Sequence, residues 1–297
     1  MGPAREGITR RSAGARLAGP FLARGAGAAT AGDAGTRRAR LRRVGFPDHF
    51  SAVSSEYARF RPGYPRELFD HLREAAPATR LAWDAATGSG QVAEGLIGRF
   101  DEVVATDAAL AQLLSARRAG RLRYVVATCE QAPIADSSVA LVTVGQALHW
   151  LDLERFYAEV RRVLCPGGVV AAWSYDLLTV DPDVDRVLRD FHDRIIGSYW
   201  PSQRHAIGRG YAALPFPFAP VSLPALEMSA RWDVERALGY LGTWSAVERF
   251  RRARGRNPVE TLRPALESVW PAGEERAVRW PLTLRVGRHG APATIGS

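Results

Sequence analysis

Short, mostly apolar runs recur through the middle of the chain, and each is followed by polar residues and then by a segment with helical spacing. The five runs lie at residues 81–84, 103–107, 122–127, 140–144 and 169–173. After the fourth run, apolar residues between 153 and 164 repeat at i, i+3, i+4 and i+7, the spacing of an amphipathic helix. Strands that alternate with helices are typical of a doubly wound parallel sheet. We therefore predict an α/β fold with five parallel strands.

Further elements are predicted on both sides of this core. A helix is expected over 66–75, and two more strands are expected over 223–231 and 280–286. Residues 245–248 have the form of a capping box, which predicts a helix that begins there. The two C-terminal strands would bring the sheet to seven strands, most of them parallel.

Residues 177–220 interrupt the alternation of strands and helices. An amphipathic helix is predicted to begin at Asp181 and Pro182, and aromatic residues and prolines are concentrated between 198 and 218. Segments of this kind between core elements often form lids over substrate pockets. We predict a helical and aromatic cap insertion over 177–220. A packing insertion with no role in binding is the alternative.

The first strand runs into a loop of small residues that suits a nucleotide-like ligand. Asp84 ends the apolar run, glycines follow at 88 and 90, and a helical segment begins at Gln91. This order of strand, tight turn and helix N-terminus is where α/β proteins bind such ligands. The same glycines also match a dinucleotide fingerprint that ends at Ala93, and short glycine motifs match by chance often. The loop therefore predicts an adenosine-containing cofactor of either kind.

Two more carboxylates end the second and third runs. Asp107 lies 23 residues after Asp84, and Glu130 lies 23 residues after Asp107. A carboxylate at the end of the second strand can accept hydrogen bonds from both hydroxyls of a ribose. We predict that Asp107 binds the ribose, and Glu130 is a further acid after the third run.

The net charge of +9 belongs mostly to the first 45 residues, which carry ten arginines and two acids. This Arg-, Ala- and Gly-rich segment has no sustained periodicity, so we expect it to be a disordered tail and not a nucleic-acid-binding face. The chain has no lysine, which indicates the codon bias of a GC-rich genome. Start codons are easily misplaced in such genomes, so we expect the functional protein to start near Val44. A mitochondrial transit peptide is the alternative. Residues 289–297 are expected to form a second tail.

Cysteine content and hydropathy narrow the class of protein further. The two cysteines, at 129 and 165, have no paired spacing, so we expect a reducing, cytoplasmic compartment and no metal site. No apolar run approaches the length of a membrane span. We expect no membrane association, no nucleic acid and no obligate protein partner.

Several motifs in this order resemble class I S-adenosylmethionine-dependent methyltransferases, in particular the branch of type 11 domain and trans-aconitate-methyltransferase-like proteins. The matching segments are 83–91, 105–107, 130–133, 146–150 and 159–168, with 50–65 upstream. The resemblance covers residues 46–288 and implies one methyltransferase domain with the Rossmann-like fold, whose last strand is antiparallel. It also implies methyl transfer from S-adenosylmethionine to a small molecule such as a carboxylic acid. The chain departs from the family at Ala86, where glycine is usual, and at Ala140, where an acid is usual.

The resemblance and the motif positions define candidate site residues. Those expected to contact the cofactor are Tyr57, Arg61, Asp84, Ala86, Thr87, Gly88, Gly90, Asp107, Ala108, Glu130 and Gln146. Those expected to contact the substrate are Trp150, Tyr199, Trp200 and Arg204. His149 is the candidate general base, because its ordinary pKa lies near neutrality, although a structural histidine is the common alternative.

Two other functions are compatible with the same residues. A nicotinamide-dependent oxidoreductase would use the glycines at 88 and 90 for its dinucleotide. A non-catalytic binding protein would keep the fold while the methyl group of Ala86 weakened the site. The discriminating observation is which of S-adenosylmethionine, its demethylated product and NAD the protein binds.

Overall fold

The computed structural model describes residues 62–117, 119–208 and 210–290. The strands are β1 (Leu81–Ala85), β2 (Glu102–Asp107), β3 (Leu122–Val126), β4 (Val139–Gly145), β5 (Leu164–Ser174), β6 (Ala219–Pro220), β7 (Glu227–Trp232), β8 (Arg276–Pro281) and β9 (Thr283–Arg288). The α-helices are α1 (Arg66–Ala75), α2 (Gln91–Leu96), α3 (Leu110–Ser115), α4 (Leu153–Val163), α5 (Pro182–Asp190), α6 (His205–Gly208), α7 (Val234–Gly242), α8 (Ser245–Arg254) and α9 (Pro258–Glu267). The predicted N-terminal tail, Tyr57 and Arg61 lie outside the described residues.

Seven strands form one sheet in the order β3-β2-β1-β4-β5-β9-β6. Strands β1 to β5 are parallel, whereas β9 pairs antiparallel with β5 and β6 pairs antiparallel with β9. The chain leaves the centre through β1, β2 and β3 and returns to place β4 on the other side of β1. The strand order therefore reverses between β1 and β4, and open α/β sheets bind their ligands at such a point, beyond the carboxyl ends of the strands. The predicted seven-stranded, mostly parallel sheet is confirmed.

The identity of the last strands differs from the prediction. The segment predicted over 223–231 forms β7, which pairs with β8 in a separate two-stranded sheet. The segment predicted over 280–286 is divided, because β8 ends at Pro281 and β9 begins at Thr283. Proline has no backbone N–H to continue a ladder, and the N–H of Leu282 donates to Leu226 before the chain enters the large sheet.

The predicted helices have the expected positions, with two local differences. Helix α1 covers the predicted range, and Asp181 caps α5 by accepting hydrogen bonds from the N–H groups of Asp183 and Val184. The prediction of a capping box at 245–248 is wrong, because the N-cap residue of α8 is Trp244, whose side chain makes no capping hydrogen bond. The aromatic side chain of Trp244 packs into the core instead, where burial outweighs the missing cap.

Residues 177–220 fold into short helical turns around α5 and α6. A π-helical turn, Phe191–Ile195, continues α5, and 3₁₀ turns follow at Gly197–Tyr199 and Ser202–Arg204. The segment then reaches the sheet as β6, so both its ends join the core. We refer to residues 177–220 as the insertion. Its helical and aromatic character agrees with the sequence.

Candidate functional site

The loop between β1 and α2 turns through left-handed backbone conformations. The φ angles are +53° at Ala86, +57° at Gly88 and +89° at Gly90. A β-carbon at Gly90 would collide with the Tyr124 hydroxyl, and the φ of +89° would strain any side chain there. A β-carbon at Gly88 would meet no atom of the described residues within 4 Å. Among the described residues, the loop is therefore crowded at its helix end and not at its centre.

Asp84, near the end of β1, binds this loop through its carboxylate. Its carboxylate is 1% exposed and accepts hydrogen bonds from Thr87 Oγ1 at 2.6 Å and from Thr143 Oγ1 at 2.8 Å. The N–H of Ala93 in α2 donates to it as well. Burial outweighs these donors and raises the pKa of Asp84 to about 7. Thr143 lies on β4, so Asp84 joins the loop to both strands at the switch point.

Asp107 holds the other side of the same loop. It ends β2, and its Oδ2 accepts the N–H of Gly88 at 2.9 Å while its Oδ1 accepts the N–H of Ala109 at 2.8 Å. Burial raises the pKa of this carboxyl. Each carboxylate oxygen has two acceptor sites, so each keeps one beyond these bonds. Ala108 lies between Asp107 and Ala109 in the chain.

The segment after β3 reaches the loop through Cys129. The N–H of Ala86 donates to the Cys129 thiol, and burial raises the pKa of that thiol. Glu130 is half-buried, and its carboxylate accepts the N–H of Asp152 at 3.3 Å, just before α4. Asp84 thus lies near the end of β1, Asp107 ends β2 and Glu130 follows β3. These three strands are adjacent in the sheet.

Gln146 follows β4 in a left-handed conformation with φ +56°. Its N–H donates to the carbonyl of Trp173, and its Nε2 donates to the carbonyl of Tyr175 at 2.7 Å. The Oε1 atom is buried and has no hydrogen-bond partner among the described residues. A buried acceptor in this state favours a ligand with an N–H or O–H group. The side chain is oriented by Tyr175, because a flipped amide would place two oxygens together.

His149 and Trp150 form a 3₁₀ turn that begins three residues after β4. The His149 ring lies 4.9 Å from the Trp150 ring and 5.9 Å from the Tyr211 ring. Its Nδ1 is 3.0 Å from the Tyr211 hydroxyl. Burial, and to a smaller degree the positive charge of Arg204, lowers the pKa of His149 to about 4. The imidazole is therefore neutral at pH 7.

The predicted substrate residues of the insertion point in two directions. The Arg204 guanidinium lies 3.9 Å from the centroid of the Trp200 ring and donates to Asp176 at 3.0 Å. Its charge is close enough to affect His149, so Arg204 and Trp200 belong to the same region as the 3₁₀ turn. Tyr199 instead packs on Phe250 of α8, and its hydroxyl accepts from Arg254, which also lies on α8, at 2.7 Å.

Three residues of this region were not predicted. Thr143 bonds the Asp84 carboxylate, Asp176 pairs with Arg204, and Tyr211 contacts His149. Thr143 is the polar residue within an otherwise apolar run, which is a signal that the sequence offers. Asp176 and Tyr211 have no comparable signal, because their partners are 28 and 62 residues away.

The described residues contain neither a metal-binding cluster nor a membrane-spanning helix. No group of three or more His, Cys, Asp or Glu side chains in these ranges could hold a metal ion. In the same ranges, no helix is both long and apolar enough to cross a membrane.

Comparisons with known proteins agree with the fold. A family model described as a methyltransferase domain matches residues 83–172. A solved structure of a candidate type II methyltransferase from Anaeromyxobacter dehalogenans is 43% identical, with a TM-score of 0.74, and the match covers 78% of this chain and 100% of that structure.

Two relatives extend this likeness at the sequence level. A candidate methyltransferase from Dictyostelium discoideum is 27% identical over 225 residues, which cover 74% of this chain and 86% of the relative. An uncharacterised methyltransferase from Mycobacterium tuberculosis is 40% identical over 121 residues, which cover 40% of this chain and 49% of the relative. The chain thus spans about half the length of the mycobacterial relative.

A doubly wound sheet with a small-residue loop and carboxylates at its switch point defines a class I methyltransferase. The chain belongs to the class I S-adenosylmethionine-dependent methyltransferases. Its cofactor is therefore S-adenosylmethionine, and this membership replaces the two alternatives of a nicotinamide-dependent oxidoreductase and a non-catalytic binding protein.

Proposed function

We propose that the chain transfers the methyl group of S-adenosylmethionine to the carboxylate of a small molecule. In this proposal, the cofactor lies over the loop from Ala86 to Gly90, between Asp84 and Asp107. The acceptor lies beyond β4, near Trp150 and Arg204. The observation that carries the proposal is that two carboxylates of adjacent strands, Asp84 and Asp107, both bind the same loop of small residues.

Three features of the loop region support the placement of the cofactor. A β-carbon at Gly88 would meet no atom of the described residues within 4 Å, the Asp107 carboxylate keeps acceptor capacity for two ribose hydroxyls, and the buried Gln146 Oε1 has no partner in the same part of the chain. An ammonium group is a donor that would satisfy such an oxygen. Ala86, Thr87, Gly90, Ala108 and Glu130 complete the proposed contact set. Tyr57 and Arg61 stay predictions, because they lie outside the described residues.

The chemistry at the acceptor end supports a carboxylate. When bound, the cofactor supplies a methyl group on a positively charged sulfur. A carboxylate oxygen that accepts this methyl group forms a C–O bond while the C–S bond breaks, the sulfur keeps the electron pair, and no proton has to leave. The His149 imidazole, with a pKa of about 4, is a weak base at pH 7. An acceptor that is already ionised fits such a site, because it needs no base.

Positioning is then the main contribution of the protein. Alignment of two reactants can lower a barrier by several kcal/mol without acid–base catalysis. The planar guanidinium of Arg204 offers the forked donor geometry that a carboxylate accepts, and Trp150 and Trp200 supply apolar surface. The resemblance to trans-aconitate-methyltransferase-like proteins supports the same acceptor class.

Calorimetric titrations of the Asp107→Ala variant test the cofactor site. We expect this variant to bind S-adenosylmethionine at least about 100-fold more weakly, because two hydrogen bonds to a charged group are lost. Asp233→Ala is the matched control, since Asp233 caps α7 through the N–H of Arg236 and has no place in the proposed site. Unchanged affinity in Asp107→Ala would show that the ribose lies elsewhere.

Labelled methyl transfer to matched acceptors tests the acceptor class. The acceptors share one carbon skeleton and carry a carboxylic acid, a primary alcohol or an amide. We expect label only in the ester formed from the acid. Transfer to the alcohol but not to the acid would overturn the carboxylate proposal and leave the cofactor site standing.

A further inference from the structure

Tyr211 is held in an uncommon conformation at the end of the insertion. It is fully buried, at 0% exposure, and its φ is +62°, a region that bulky residues rarely adopt. Two hydrogen bonds fix the backbone there, from the Tyr211 N–H to Ala206 and from Arg285 Nη1 to the Tyr211 carbonyl. Strained residues persist where the surrounding structure demands a particular side-chain position.

The hydroxyl of Tyr211 meets the 3₁₀ turn after β4. The backbone N–H groups of Leu148 and His149 face its oxygen, which lies 3.0 Å from His149 Nδ1. A hydroxyl has two acceptor sites and one proton. Because both acceptor sites face N–H donors, the proton is left to donate to Nδ1. An imidazole nitrogen that accepts carries no proton, so the proton of the neutral ring is on Nε2.

We propose that Tyr211 is a positioning residue that fixes His149 as the Nε2–H tautomer, so that His149 donates a hydrogen bond to an oxygen of the methyl acceptor. This inference rests on the proposed function for its acceptor, but the tautomer itself does not. The ring cannot accept a proton at Nε2 in this state, and Tyr211 covers Nδ1. His149 then orients an anionic acceptor and removes no proton from it.

The charges around His149 favour the same state. Among the described side chains, the charged group that acts on the ring is the Arg204 guanidinium, which opposes a second positive charge, and Asp176 pairs with Arg204. Burial acts in the same direction. The ring therefore stays neutral over the physiological range, which a fixed donor requires.

Nitrogen NMR of protein with ¹⁵N-labelled histidine tests the inference directly. Long-range ¹H–¹⁵N spectra distinguish the two tautomers and the protonated ring, and a spectrum of His149→Gln assigns the signals. We expect the Nε2–H form in the wild-type protein, unchanged from about pH 5.5 to 8. An Nδ1–H form, or a ring that becomes protonated within this range, would overturn the inference without any variant.

Tyr211→Phe and a matched control test the cause. The variant keeps the ring but loses the hydroxyl, so we expect a mixture of both tautomers and a kcat lower by about tenfold, with unchanged affinity for S-adenosylmethionine. Tyr157→Phe loses another buried hydroxyl, which donates to Pro215 of the insertion at 2.8 Å, and should leave the His149 spectrum unchanged. A Tyr211→Phe spectrum identical to that of the wild type would overturn the positioning role.

The outcomes separate this inference from the proposed function. If the protein shows the Nε2–H spectrum but methylates no carboxylate, the proposed acceptor is overturned and the tautomer assignment is supported. An active carboxylate methyltransferase whose His149 carries its proton on Nδ1 would overturn the present inference alone.

Discussion

Asp84 is expected to make the folded chain less stable as the pH rises from acid to neutral values. Burial raises its pKa from the usual 3.8 to about 7 in the folded state. The folded chain therefore binds a proton more tightly than the unfolded chain does. The resulting contribution to stability is fully present below 3.8 and is lost as the pH rises through about 7. A rise in pKa from 3.8 to about 7 corresponds to about 4 kcal/mol.

The variant Asp84→Asn isolates this contribution. The Asn amide is close in shape to the carboxyl group and is neutral at every pH. The variant therefore does not lose stability through ionisation at position 84 as the pH rises. Chemical denaturation of both proteins between about pH 4.5 and 8 gives the free energy of unfolding at each pH. We expect the wild type to lose up to about 4 kcal/mol relative to the variant across this range. The comparison removes the titration of all other groups, which the two proteins share.

Asp181→Asn is the control with the opposite sign. Burial raises the pKa of Asp181, but the N–H of Val184 and the Arg276 guanidinium outweigh it and leave this pKa lowered. Its contribution is present at neutral pH and is lost on acidification, so its removal should flatten the acid side of the profile. Parallel profiles for the wild type and Asp84→Asn would refute the reasoning, because Asp84 would then ionise in the fold without penalty.

Two further changes test the loop and the core. Ala86→Gly removes a β-carbon from a φ of +53°, so we expect the free energy of unfolding to rise by about 0.5 kcal/mol and calorimetry to show tighter cofactor binding. Ser137→Gly is the control: Ser137 is exposed, has a φ of +50° and lies outside the proposed site, so this variant should gain stability without any change in cofactor binding. Weaker cofactor binding in Ala86→Gly would mean that the loop has adapted to alanine. Arg162→Leu leaves the Glu159 carboxylate, which is 8% exposed, without its cation, so chemical denaturation should show a loss of about 3 kcal/mol; a loss below about 1 kcal/mol would show that water replaces the arginine.

The parallel core could be predicted because its signals are local. Strand β1 is buried along its whole length and β4 along all but its last residue, and strands of this kind appear in the sequence as continuous apolar runs. The C-terminal strands have equally clear patterns, but a pattern does not reveal the partner strand. Trp280 and Val286 lie within one alternating run and belong to different sheets. Pairing is a long-range property, so a period of two predicts a strand without its neighbours.

The candidate site shows the same division between local and long-range information. Asp84 and Asp107 could be predicted together, because parallel neighbours end at one edge and bring their last residues close. The order of strand and loop along the chain was enough to predict that both carboxylates lie near the same loop. The pairing of Tyr211 with His149 depends on a strained backbone that Ala206 and Arg285 hold in place, and neither of these contacts leaves a pattern in the sequence.

The insertion shows why adjacency in the chain is a poor guide to shared function. Tyr199 and Trp200 are consecutive aromatic residues, which suggested one role in substrate contact. Tyr199 ends a 3₁₀ turn, and its ring packs on α8. Trp200 follows the turn in an extended conformation, and its ring contacts Arg204 and also packs with the rings of His192 and Trp244. Consecutive residues of an irregular segment therefore have different partners, and a sequence pattern does not reveal them.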